Sequence, residues 1–111
     1  MTLNKLAAEI NITAEEHGWK DKPVTFGESM ALVHSEVSEV LEEYRTGHTP
    51  ADVYISLDDN EKPLGIPIEL ADVIIRVLDV CADYGINIDQ AVALKMAYND
   101  TRPYRHGGKI L

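Results

Sequence analysis

Glu36, Glu39 and Glu43 stand at i, i+3 and i+7 of one segment, and Glu69 and Asp72 repeat the i, i+3 spacing further on, with Asp79 seven residues beyond. At ~100° per helical residue the first three fall within ~60° of one another, a single stripe along a cylinder. Like charges at that spacing repel by about a few tenths of a kcal/mol in an isolated helix. Arg76, one turn beyond Asp72, relieves part of the repulsion in the second cluster, while the first has only Arg45 near its end. Two such pairs on facing helices would form a cluster of four carboxylates. Oxygen-only ligands at that density suit a hard divalent cation, Mg²⁺ or Mn²⁺.

Alone, an E-x-x-E on a helix is usually a solvated face. Here both pairs are embedded in strongly apolar stretches, ALVHSEVSEVL and IELADVIIRVLDV, which leave little room for a wide polar face. Spacing therefore leaves the solvated and the ligating roles both open. A di-iron carboxylate bundle also uses paired glutamates, but it needs Glu-x-x-His on two helices. None of His17, His34, His48 and His106 stands three residues after a Glu, so that chemistry is excluded. His34 reads first as a local hydrogen-bonding residue.

Cations are scarce, which makes their placement informative. Lys95, Asn99 and Arg102 lie at i, i+4 and i+7, followed by Arg105, His106 and Lys109. A lysine, an amide and a forked guanidinium suit phosphate oxygens, although cations near a helix C-terminus also complement its dipole. Trp19, the only Trp, stands beside His17 and Lys20. It is able to stack on a nucleobase or to cap the open end of a small core, and the sequence favours the cap. Cys81 reads as an inert buried thiol, and as the single cysteine it excludes an intrachain disulfide framework and a Cys-rich zinc site.

The elements that must carry these groups are helices. Leu3, Leu6, Ala7, Ile10 and Ala14 predict a first amphipathic helix ending near Gly18, and HGWKDKPVTF reads as a loop. Met30, Val33, Val37, Val40, Leu41 and Tyr44 predict a second helix from Gly27 to Tyr44, stopped by Gly47. Residues 48–67, with three prolines and an Asp-Asp-Asn-Glu cluster, form a short hairpin or an irregular loop. A third helix is expected from about Ile68 to Tyr84 between Pro67 and Gly85, and a fourth after Asn87, which can cap it with Gln90 three residues on. Thr101–Leu111 reads as a basic tail. The expected fold is all-α, a four-helix-type bundle in one domain with that insertion between helices 2 and 3.

Composition agrees with one small domain: 111 residues, 45% hydrophobic and 26% charged. Ten Lys plus Arg against 19 Asp plus Glu give a formal charge of −9, which argues against nucleic acid or an anionic membrane as partner. The start, MTLNKLAAEI, lacks a signal-peptide apolar stretch and no run is long enough to span a bilayer, so a cytoplasmic domain is expected.

Taken together, E36-V-S-E39 followed by E69-L-A-D72 resembles the E-x-x-E…E-x-x-D signature of MazG-like nucleotide pyrophosphohydrolases, members of the all-α NTP pyrophosphatase superfamily. HGWKDKPVTFGESMALVHSEVSEVLEEYR resembles the first half of small stand-alone members, and ELADVIIRVLDVCADYGINIDQAVALKMAYNDTRPYRHGGK the second. The K95-x3-N99-x2-R102-P-Y tail, with Tyr104, adds specificity. The interval from Glu39 to Glu69 lies at the long end of the family's spacing, filled by residues 48–67.

This resemblance implies hydrolysis of a nucleoside triphosphate (NTP or dNTP) between the α and β phosphates, giving the monophosphate and pyrophosphate. It implies that Glu36, Glu39, Glu69 and Asp72 hold Mg²⁺, with Mn²⁺ as a substitute, and that Glu36 or Glu39 accepts the proton of the attacking water. Lys95, Asn99 and Arg102 would contact the phosphates, Trp19 or its loop would line the base pocket, and Lys20 and Tyr104 would belong to the substrate-binding set. A homodimer or homotetramer with pockets at the subunit interface is implied as well. The alternative is a non-catalytic acidic helical module that binds a divalent cation, a nucleotide or a protein partner. The ordered Lys95, Asn99 and Arg102 set is a feature such a module does not require.

Overall fold

A computed structural model describes residues 2–111. The chain is all-α apart from one small hairpin: α1 (Leu3–Glu16), α2 (Phe26–Arg45), β1 (Tyr54–Ile55), β2 (Pro63–Leu64), α3 (Ile66–Asp83), α4 (Ile88–Asp100) and the single turn α5 (Arg105–Gly108). The expected all-α class is met. Helix 3 starts two residues earlier than expected, because Pro67 sits inside its first turn, where a missing N–H leaves no hydrogen bond unmade.

α2 is closed at its start by a capping box: Thr25 accepts from the Glu28 amide while Glu28 accepts from the Thr25 amide. Its end is closed by Gly47, at φ 101°, which turns the chain so that the His48 amide reaches the Glu43 carbonyl. α3 is the central helix, with α1 and α2 both packed along it. Leu78, Val80 and Cys81 of α3, with Ala7 of α1 and Ile66, are the buried core among the described residues. Burying side chains such as Leu78 and Val80 contributes ~1.5–3 kcal/mol each. Phe26 meets Tyr84 edge-on at 5.2 Å, so the start of α2 lies by the end of α3 and the two helices run antiparallel.

α4 is held differently. The Asp89 carboxylate accepts from the amides of Leu3 and Asn4, and the Asn4 side chain accepts from the amides of Ile88 and Asp89. The N-termini of α1 and α4 thus cap each other, which satisfies four donors that a helix leaves unpaired. Beyond that joint α4 makes few contacts, all substantial ones to α1, and its residues from Gln90 onward are exposed. The radius of gyration is 16.9 Å, against about 13 Å for a compact chain of this length.

The insertion is a hairpin, with Tyr54 opposite Leu64 and Ile55 opposite Pro63. Its exit is Gly65, at φ 121°, packed so closely on the Asp52 carbonyl that a Cβ there would overlap it. Only glycine fits that crossing.

Candidate functional site

The antiparallel pairing of α2 and α3 brings the two carboxylate stripes together. Glu36 of α2 and Glu69 and Asp72 of α3 each place one carboxylate oxygen within 4.8 Å of the others. All three are half-buried. Burial, and then the charges of Asp72, Glu39, Glu36 and Glu43, push Glu69 above the usual carboxylate range. Burial and Glu36 do the same to Asp72, with Arg76 and Lys62 pulling the other way. A raised carboxylate marks a place where negative charge is under-compensated, which a cation would relieve. The donor set is oxygen-only and fits a hard divalent ion.

Glu39, the fourth expected ligand, is exposed and stands outside this set of three, although it lies close enough to raise Glu69. Glu43 is diverted. The Tyr54 hydroxyl, carried in by the hairpin, donates toward both Glu43 oxygens at 3.0 and 2.9 Å. His48 stacks on the Tyr54 ring at 4.6 Å, with its Nε2 3.6 Å from Glu43. The turn at Gly47 puts His48 over Glu43, so the hairpin is fastened to the end of the carboxylate stripe. Burial, and then Glu43, raise the Tyr54 phenol above its ordinary value.

Arg76 relieves Asp72 as expected, and it also donates from Nε to Glu36 Oε1 at 2.6 Å, an interhelical bond. A groove of about 1120 Å³ is lined by Glu36, Asp72 and Arg76 together with Trp19 and Lys20 of the first loop. Trp19 is 78% exposed, so it does not cap the core. The Trp19 amide donates to the Ala14 carbonyl at the end of α1, and α1 packs along α3 without burying the indole. Lys20 is engaged by Asp79 at 2.6 Å and Asp83 at 2.9 Å, and Asn11 donates to the same two carboxylates. Burial works against the Lys20 charge, but these bonds outweigh it and its pKa is raised.

Lys95, Asn99 and Arg102 do not meet the carboxylates within one chain. Lys95 and Arg102 both lie over the Tyr98 ring of α4, at 5.0 and 5.5 Å. Tyr104 is 85% exposed, with Arg105 over its ring. Sequence reasoning missed the interhelical role of Arg76 and the Tyr54–His48 clasp. The second left a trace, since a glycine stop at position 47 predicts that the residue after it folds back on the last turn.

Comparison of the chain with protein-family models, with curated proteins and with solved structures found no match.

Proposed function

We propose that the protein is a divalent-metal-dependent nucleoside triphosphate pyrophosphohydrolase. The observation that carries this reading is the convergence of Glu36, Glu69 and Asp72, of which Glu36 and Asp72 line a groove that an exposed Trp19 also lines. An aromatic face and a metal-competent carboxylate set on one groove match a nucleoside triphosphate, which offers a base to stack and phosphates to neutralise. In this reading Glu36, Glu69 and Asp72 hold Mg²⁺ or Mn²⁺. A divalent ion at such a site offsets phosphate charge and makes a nearby water more acidic.

The remaining chemistry belongs to side chains. A water oxygen bonds to the α-phosphorus, the bond from that phosphorus to the α–β bridging oxygen breaks, and pyrophosphate leaves with the electron pair. Glu39 accepts the water's proton: it is exposed, lies on the same stripe, and is not tied to Arg76 as Glu36 is. Trp19 stacks on the base.

The active form is a homodimer or homotetramer in this reading. Support comes from the extended chain and from α4, which exposes an apolar pair one turn apart on each of two opposite faces, Val92 with Met96 and Leu94 with Tyr98. Apolar residues at that exposure mark a contact surface when they cluster. A second copy is the occupant that would bring the α4 cations to a carboxylate site that one chain leaves without them.

The test is pyrophosphate release from a panel of NTPs and dNTPs, with Mg²⁺ and with EDTA. Metal-dependent release with monophosphate as co-product is expected, and Glu39→Gln is expected to remove it without unfolding the chain. Release of orthophosphate and diphosphate would overturn the bond assignment. Metal binding with no turnover of any nucleotide would favour the non-catalytic acidic module.

A further inference from the structure

Arg76 is the one cation that the described residues place in hydrogen-bond contact with the converged carboxylates. Its Nε is fixed on Glu36 Oε1 at 2.6 Å, and the Glu36 side chain is 16% exposed against 42% for Arg76. That bond uses one of five guanidinium N–H groups. Among the described residues the other four make no hydrogen bond, and Arg76 lines the groove that runs past Trp19. The other cations lining the groove are the two loop lysines. Lys20 is held by Asp79 and Asp83, and Lys22 is exposed. Lys95 and Arg102 lie over Tyr98 on α4.

A guanidinium anchored through Nε presents both Nη groups in a fixed plane, the geometry that grips two oxygens of a phosphate. Position along the groove selects the phosphate. Along α3 Arg76 stands between Asp72 and Asp79, and Asp79 holds Lys20, the neighbour of Trp19. With the base at Trp19 and the polyphosphate at the carboxylates, the phosphate nearest the sugar is therefore the one that falls at Arg76. We propose that Arg76 is the residue that grips the α-phosphate, through its two Nη groups on non-bridging oxygens, a role that rests on the pyrophosphohydrolase reading above. Negative charge on those oxygens is redistributed as water adds to the α-phosphorus and the bond to the bridging oxygen breaks. Donors fixed in advance stabilise that charge without having to reorient. The Glu36 contact holds the fork in place, so one carboxylate both faces the cluster and aims the arginine.

Arg76→Met removes charge and fork at similar length, and Arg76→Lys keeps the charge alone. Both variants are assayed for kcat and KM on the best triphosphate of the panel, for Mn²⁺ binding in the absence of nucleotide, and for the thermal transition. Loss of kcat/KM by about 10²-fold or more is expected for Met. A partial loss is expected for Lys, and Mn²⁺ binding is expected to be retained in both variants and tightened in Met, where Glu36 loses its competing cation. A folded Met variant with wild-type kcat/KM would overturn the assignment. So would loss of Mn²⁺ binding in step with activity, which would make Arg76 a support for the metal site only. Wild-type protein that releases no pyrophosphate from any triphosphate would overturn the parent reading and Arg76 with it. Wild-type turnover with undamaged Arg76 variants would overturn Arg76 alone.

Discussion

Replacing Glu69 by Gln is expected to move two properties in opposite directions. Glu36, Glu69 and Asp72 bring carboxylate oxygens within 4.8 Å of one another. At that separation a like-charge pair repels by ~0.9 kcal/mol in bulk water and by ~3.5 kcal/mol at an effective permittivity of 20. Glu69 faces two such neighbours, but it is only half-buried and Arg76 offsets Glu36, so the lower figure is the better guide. Glutamine keeps the shape and removes the charge. The metal-free variant should therefore be more stable than wild type by ~1 kcal/mol, about 4 °C in Tm for a chain of this size.

The pH dependence carries the same sign. Burial and the neighbouring carboxylates raise the folded-state pKa of Glu69, so between its unfolded and folded values the native state binds more protons than the unfolded one. Wild-type stability then falls as pH rises through that interval, and the gap to the variant opens above it and closes below. With divalent metal the order reverses. A ligand at a hundred times its Kd adds ~2.7 kcal/mol to the protein that binds it, and the variant has lost a ligand. Thermal unfolding in EDTA, and again with Mn²⁺ or Mg²⁺, reads both effects. A variant that is less stable in EDTA yet keeps the full metal increment would refute the reasoning.

Lys20→Met should lower stability by ~1 kcal/mol at neutral pH, the scale of partly exposed ion pairs. Because the Lys20 pKa is raised, that contribution is complete below about 10.5 and disappears as pH rises through the folded value, so the Tm gap should close in strong base; a gap independent of pH would contradict it. Gly65→Ala should lower Tm and, by displacing the start of α3, weaken Mn²⁺ binding, since position 65 stands four residues before Glu69 and a Cβ there overlaps the Asp52 carbonyl; calorimetric titration on the folded variant checks this. Leu94→Glu combined with Met96→Glu should convert an oligomer to monomer in light-scattering chromatography if α4 is the contact surface, whereas an unchanged mass would place the interface elsewhere.

Much of this molecule follows from local rules that act within a few residues. The four main helices, the Gly47 stop of α2 and the two carboxylate stripes come from apolar spacing, stop residues and helical geometry, whereas the Thr25 capping box that starts α2 lies in the stretch read as a loop. Such terms depend only on neighbours along the chain, so they are legible in order. The pairing of stripes is another matter. That Glu36 meets Glu69 and Asp72 while Glu39 stays exposed depends on how α2 is rotated against α3, and i, i+3 spacing does not encode that rotation. Arg76 shows the same limit, since its spacing offers Asp72 and its partner is Glu36, forty residues away. Trp19 is exposed where its sequence context favours a cap over the core, because whether a loop side chain folds over the core depends on packing between distant segments. Asn4 and Asp89 are both ordinary helix-start residues, and only the fold reveals that each caps the other's helix and leaves the α4 cations away from the carboxylates. Periodicity assigned the faces; side-chain packing between distant segments decided which of them meet.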